Sequence, residues 1–552
     1  MQTSTVSLNS KDKFVRSLKL LKEIAADMDK EVNLAKMDLL KTLGNMALPA
    51  AKYLPVYHDS LLFLCAYPAN NRLLLLAESE LKRLTEYLKK NNQSIKKSIP
   101  ENSGLPYTET ITRFSPDSLG WLLKQKDFAL HFDSFYDSRL TLNEVLNITL
   151  PSLLKAETTA GLNPEDLLEV LGIKSTQYLH FLHSQLEALK EFPQAKDLLS
   201  DCLNIFVQVV PKSSRFSRTY NRIAHKPVYY QQDILKRFDH VQLLNEPLPH
   251  EPVAPETVMG KTGKEQLAKV IKYAMSLTER EIDPATYLQE DSMRYIVLER
   301  GLSMAIYGMQ AERQLPLETY MGFTIFKNGL PISYGGMWVF GSRSKVGFNI
   351  FEPYRGGESG YALCQLLRVF IQYFHISYFE VEPFQFGADN EDAIASGAFW
   401  FYYKFGFRPV DAEIAGQAKQ EYQKIKTRKN YRSSAKTLVG FTEGNIALNL
   451  GNSIPADVSQ ISTQVLSSIK KDWKNNYQHG RKQATESFCS SVQLNVSTLS
   501  KAEIKIMEDL ALWAMALQIT DKQKLQLMKQ MVFKSSADIY AYQQLLRKFF
   551  EK

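Results

Sequence analysis

The sequence predicts an α+β chain: a mixed β-sheet domain over residues 265–412, flanked by mostly helical N- and C-terminal regions. Three observations carry this. Two β-rich runs, 320–326 and 332–340, are joined across Asn328-Gly329. That dipeptide signals a hairpin, because a type I′ turn needs positive φ at both central positions. Between residues 346 and 381 a strand, a glycine-rich turn, a helix and a second strand follow in order, a βαβ-type unit. Outside this segment apolar residues recur at helical spacing, as in Phe14, Leu18, Leu21 and Ile24, or Leu81, Leu84 and Leu88.

A chain of 552 residues is too long for one core. Residues 1–244 read as mostly helical, with 61–67 as a buried strand and 108–114 as an edge strand. Ser115-Pro116 signals a helix start. Residues 245–264 read as a linker, a poor place for a helix, because Pro247, Pro249, Pro252 and Pro255 fall close together ahead of Gly260 and Gly263. Residues 265–309 read as helices that precede the hairpin, and 413–552 as a helical C-terminal region.

Hydrophobic residues make up 44% of the chain and charged residues 23%, which excludes disordered, collagen-like and coiled-coil classes. The net charge of +8 permits an anionic partner without demanding one. Cys65, Cys202, Cys364 and Cys489 are scattered with no CxxC pair, so neither a disulfide framework nor a metal site is expected. The polar N-terminus and the lack of an 18-residue apolar run predict no membrane span and a cytoplasmic location.

The chemistry concentrates around one helix. Leu363, Leu366, Leu367, Phe370, Ile371 and Phe374 share one helical face. Ahead of them stand Arg355-Gly356-Gly357 and Gly360. Amides at a helix N-terminus lack intrahelical partners and, with the helix dipole, form an anion site; glycine lets the backbone approach a pyrophosphate. Downstream, Glu380 and Glu382 alternate with Phe379 and Val381, so both are expected to face away from the apolar side. Asn390 reads as a helix N-cap with Glu391 and Asp392 in the first turn, and Gly406 suits the C′ position. Tyr402 lies four residues before Gly406-Phe407.

These residues together resemble the acyl-CoA-binding half of the GNAT-type N-acyltransferase fold. That family carries an Arg/Gln-x-x-Gly-x-Gly/Ala turn after its fourth strand. Arg355 matches the first position and Gly360 the last, while Glu358 stands where the family usually has glycine. The resemblance implies acetyl-CoA or another acyl-CoA as co-substrate, held by Arg355, Gly356, Gly357, Gly360 and Asn390. It implies an amine acceptor, a small molecule or a peptide. Tyr402 would protonate the departing thiolate, with Tyr403 second in line, and Glu380 or Glu382 would serve as general base. Glu358 would repel a pyrophosphate unless it points away, and as a first-turn acid it would also stabilise the helix.

Two other readings stand beside this one. The first is a non-catalytic interaction scaffold built on the same fold. The second is an aminoacyl- or RNA-linked transferase using residues 212–226 and 419–436. The latter stretch holds seven Lys/Arg against Glu421 alone. With aromatics sparse in its sequence, it reads first as a solvated helix and loop, and nucleic acid ranks last among partners.

Overall fold

In the computed structural model, residues 10–95, 98–153, 155 and 164–551 are described. They form an α+β chain that divides into two units. The first is Met1–Ile234 with Gln266–Tyr287 and Lys327–Pro331; the second is Leu235–Glu265 with Leu288–Phe326 and Ile332–Lys552. Among the described residues no helix is long and apolar enough to cross a membrane.

The first unit joins helices to a three-stranded sheet of β1 (Thr110–Arg113), β2 (Phe128–Phe135) and β3 (Ile205–Pro211). Its order is β1-β3-β2, and both outer strands run antiparallel to β3. β1 is therefore the edge strand that its sequence predicts. Residues 61–67 are not a strand; all but Tyr67 lie in the helix Leu54–Ala66. Ten of its thirteen residues are buried, so it lacks the one-sided apolar stripe that marks a surface helix. Ser115 caps the helix Pro116–Leu122 as expected, its hydroxyl accepting from the Ser118 amide at 3.3 Å.

The second unit is built on an eight-stranded sheet of order β10-β11-β9-β8-β7-β6-β5-β4. The strands are β4 (Arg294–Val297), β5 (Leu302–Tyr307), β6 (Thr319–Lys327), β7 (Leu330–Phe340), β8 (Arg343–Ile350), β9 (Tyr378–Val381), β10 (Arg408–Pro409) and β11 (Ile446–Asn449). Asn328 and Gly329 have φ of 47° and 83°, the turn geometry predicted for the β6–β7 hairpin. The tip of that hairpin groups with the first unit.

Three expectations are corrected here. Residues 294–307 form β4 and β5 rather than helix. Every residue of β5 is buried, and a short apolar run without alternation has no period to read. The sheet does not end at residue 412, because β11 inserts between β9 and β10, antiparallel to both. The segment 245–264, expected as a linker, groups within the second unit, and the breaks between the units around it fall after Ile234 and Glu265. Most of the following helix, Gly263–Leu277, folds with the first unit, and a short helix, Pro255–Met259, forms inside the proline-rich segment with Pro255 in its first turn.

The five C-terminal helices from Val458 to Phe550 share one core with the sheet. Met507, Trp513, Met528, Met531 and Leu546 pack there with Phe340 of β7.

Candidate functional site

The site-forming geometry begins with β8 and β9. They pair in parallel at Arg343↔Tyr378, Ser344↔Phe379 and Lys345↔Glu380. Among the described residues that ladder ends at Lys345↔Glu380, although β8 continues to Ile350. On its other edge β8 stays paired with β7 over its whole length. Residues 346–350 of β8 therefore present one edge with no strand beside it. Gln385, just past β9, reaches over the face of β8: its Nε2 would lie 3.6 Å from a Cβ placed on Gly347.

The chain leaves β8 through a single 3₁₀ turn, Glu352–Tyr354, and enters the helix Ser359–Phe374. In the intervening turn the Gly357 amide bonds to the Tyr354 carbonyl at 3.2 Å. Gly356 has φ +90° and no atom within 4 Å of a Cβ built on it, so this position needs glycine for its backbone angle and not for space. Arg355 and Gly356 are exposed, Ser359 and Gly360 half-exposed. Arg355 makes no ion pair or side-chain hydrogen bond among the described residues.

Glu358 occupies the N-cap position, yet its side chain does not cap the helix. It turns inward instead, fully buried. Its Oε1 accepts from Arg300 Nε at 2.9 Å, Arg300 Nη2 at 2.6 Å and the Leu235 amide at 3.2 Å. Arg300 stands in the β4–β5 turn with φ 58°, its guanidinium carbon 6.0 Å from the Tyr361 ring centroid. The Tyr361 hydroxyl is pushed up to about 12, first by burial and then by Glu299.

Gly360 meets a different neighbour. A Cβ there would fall 2.3 Å from Phe405 Cζ. The Phe405 ring is itself packed against Phe238, His240 and Phe401. One side of the glycine turn is thus walled by an aromatic cluster. Further along the same helix, Arg368 is almost fully buried. It donates to the Glu246 and Pro247 carbonyls and pairs with Glu299, which straps the proline-rich segment onto the helix.

The other sequence-predicted residues are placed as follows. Glu380 lies on an interior strand and is buried; it pairs with Arg343 and accepts from Asn445 Nδ2 at 2.7 Å. Glu382 is exposed and pairs with Lys345 at 3.1 Å. Burial acts to lower the Lys345 ammonium, but the bond from Glu382 and neighbouring carboxylates outweigh it and hold its pKa above the ordinary value. Glu380 is therefore not a solvent-facing base, whereas Glu382 faces solvent but is engaged by Lys345. Tyr402 is 2% exposed, packed against Phe401 and Phe407, and burial alone pushes its hydroxyl well above the usual range. Tyr403 turns elsewhere, its ring under the Arg408 guanidinium at 3.8 Å and against Tyr422.

Asn390 is the predicted N-cap of Glu391–Ser396. Its Oδ1 accepts from the Ala393 amide at 3.1 Å and its Nδ2 donates to the Phe384 carbonyl at 3.0 Å. Both ends of its side chain are thus engaged within its own loop. The helix predicted from Asn390 to Gly406 is broken at Gly397, φ +69°, into Glu391–Ser396 and Ala398–Lys404, and Gly406 has the expected positive φ of 93°.

Sequence reasoning missed Arg300, Phe405 and Glu318. The carboxyl of Glu318 is pushed up chiefly by burial, with Lys345, Asp457, Arg343 and Glu382 all near enough to act on it. For Arg300 the available signal was Glu358, an acid at a helix start that needs a cation once the fold buries it. Among the described residues no group of three or more His, Cys, Asp or Glu could hold a metal ion. Cys65 and Cys364 are buried and unpaired, and burial pushes the Cys65 thiol up to about 12.

No family model matches the chain, and neither a curated protein nor a solved structure matches it.

Proposed function

We propose that the second unit is a GNAT-type acyltransferase domain that binds an acyl-CoA and transfers the acyl group to an amine. One observation carries the reading: the parallel β8/β9 pair separates after Lys345 and Glu380, beside the glycine turn at the start of the Ser359–Phe374 helix. In such a domain the acyl thioester lies between the separating strands, where unpaired β8 backbone groups can hydrogen-bond it. The diphosphate would sit at the helix N-terminus beside Arg355, using backbone amides and the helix dipole.

Glu358 does not oppose this placement. Its carboxylate is neutralised by Arg300 and turned away from the amides. The amine would attack directly, with positioning supplying much of the rate. Glu318 is the better base candidate, because Glu380 and Glu382 are held in ion pairs.

A second reading, a non-catalytic interaction scaffold, is favoured by those same ion pairs and by the enclosed Tyr402 hydroxyl. Calorimetric titration of the full chain with acetyl-CoA, followed by a thiol-release assay over a panel of primary amines, separates the two. Binding weakened by Arg355→Ala, with amine-dependent thiol release, is expected. No heat at millimolar acetyl-CoA would end the enzyme reading. Binding without turnover on any amine would favour the scaffold.

A further inference from the structure

The chain's positive charge is concentrated in one place. Residues 419–436 carry seven Lys/Arg against one acid, a net +6 of the chain's +8. All seven cations are exposed: Lys419, Lys424, Lys426, Arg428, Lys429, Arg432 and Lys436. Among the described residues only Lys424 is ion-paired, with Glu421 at 3.0 Å. Glu421 is buried. Burial alone would raise its carboxyl, but hydrogen bonds from Tyr431, Lys424 and Ser433 outweigh this and hold it below the usual range. The one acid is therefore committed to holding the segment's shape and does little to offset the outer charge.

Helix electrostatics account for part of this set. Lys424 and Lys426 stand in the last turn of the helix Ala412–Thr427, where the dipole favours cations. Arg428, Lys429 and Arg432 lie beyond that turn. Lys436 stands in the first turn of the helix Ala435–Gly440, the end at which the dipole disfavours a cation. The helix dipole does not account for these four.

The segment is held rather than loose. Ile414, Ala418 and Glu421 are its buried side. Trp400 Nε1 donates to Ser433 Oγ at 3.0 Å, and the Trp400 ring stacks on Tyr422 at 5.6 Å. The cations also meet aromatic rings: Lys426 over Tyr422 and Arg428 near Tyr431. Those two tyrosines belong to the stretch itself, and Trp400 joins Tyr422 from the neighbouring Ala398–Lys404 helix.

We infer that residues 419–436 form a docking surface for single-stranded nucleic acid, contacted mainly through its phosphates. Charge complementarity carries the polyanion. The polar residues between the cations favour nucleic acid over a membrane. Gln420, Gln423, Asn430 and Ser434 are exposed, suited to phosphate and sugar contacts, and no apolar face is left outward to enter lipid. A single strand fits better than a duplex. At 100° per residue, Lys419 and Lys424 point to sides of the helix about 140° apart, and the remaining cations follow an irregular loop. A rigid duplex meets one side of such a surface, whereas a flexible strand can cover both.

The test uses the full chain and a fluorescein-labelled 20-nucleotide oligouridylate, with affinity measured from 50 to 200 mM salt. Four to six phosphate contacts predict a log–log slope of about −3 to −4. The variant Lys426→Glu/Arg428→Glu/Lys429→Glu/Arg432→Glu is expected to weaken binding at least 30-fold and to flatten the slope by about 3, with an unchanged circular dichroism spectrum. The milder Arg428→Gln/Arg432→Gln variant, expected to lose about 5-fold, keeps the test valid should the first fail to fold. Lys212→Gln/Arg215→Gln, in the other basic stretch, is expected to change nothing. No binding at 50 mM salt overturns the inference. So do equal affinity of the charge variants, tighter binding of a 20-bp duplex, and capture by phosphatidylserine vesicles without oligonucleotide binding.

Discussion

Replacing Arg300 with leucine is expected to destabilise the second unit far more than a surface substitution would. The Glu358 side chain is fully buried and takes two bonds from the guanidinium, at 2.9 and 2.6 Å. Removing the cation strands a buried carboxylate. Breaking a buried ion pair by deleting one partner costs about 3–5 kcal/mol. At about 2–4 °C per kcal/mol for large domains, the melting temperature should fall by roughly 6–20 °C.

Four of the five tryptophans, Trp338, Trp400, Trp473 and Trp513, lie in the second unit, so thermal unfolding followed by tryptophan fluorescence reports mainly on it. The double variant Arg300→Leu/Glu358→Leu should recover most of the loss, because replacing both partners with apolar residues is often near neutral. A shift below 1 °C for Arg300→Leu would refute the reasoning. So would a double variant no more stable than the single. Either result would mean that Glu358 is not held inward by Arg300 and is available to meet a diphosphate.

Gly360→Ala should cost about 1–3 kcal/mol, because its Cβ enters the packed Phe405 ring, and Gly360→Ala/Phe405→Ala should lose less than the two single variants combined; thermal melts of the three variants check this. Glu318→Gln should lower the rate of any amine acylation about 10²–10⁴-fold and remove the acidic limb of its pH profile, leaving acetyl-CoA affinity unchanged in a parallel titration. In the first unit the buried Lys36 ammonium is lowered to about 8 by burial, against about 10.4 in an unfolded chain. The folded state thus binds fewer protons across that window, so stability should rise as pH climbs from about 8 to about 10.4, measured by urea unfolding; Lys36→Met should abolish the rise.

Elements set by local chemistry were legible in the sequence. Asn328-Gly329 specifies its turn through backbone angles alone. Ser115 and Asn390 cap helices with bonds spanning three residues, and Gly406 relaxes a left-handed position. What escaped was set by burial or by distance. The helix Leu54–Ala66 and strand β5 are apolar with no outward face, so neither shows a period. Strand β11 joins β9 and β10 only after a detour through two helices. At the candidate site the glycine turn was legible because glycine there answers a backbone need. The partner of Glu358 lies 58 residues away on another strand pair, and the ring over Gly360 lies 45 residues on, separations at which no local pattern survives.

The placement of Glu358 changes which force decides acyl-CoA binding. A carboxylate facing the helix amides would compete with a diphosphate for the same donors and repel it. Turned inward against Arg300, it contributes a neutral pair, and the exposed charge nearest the turn is the cation of Arg355. Electrostatics then favour an anion, by the helix dipole and by Arg355 together. What limits access is shape: Gly360, the position that in the resembling family lets a phosphate approach the backbone, here lies under Phe405. Relief would have to come from rotation of one ring within the Phe238, His240 and Phe401 cluster, a side-chain motion that leaves the sheet and the helix where they are. The glutamate in the turn therefore argues less strongly against a cofactor than its position in the sequence suggests, and the aromatic wall argues more strongly.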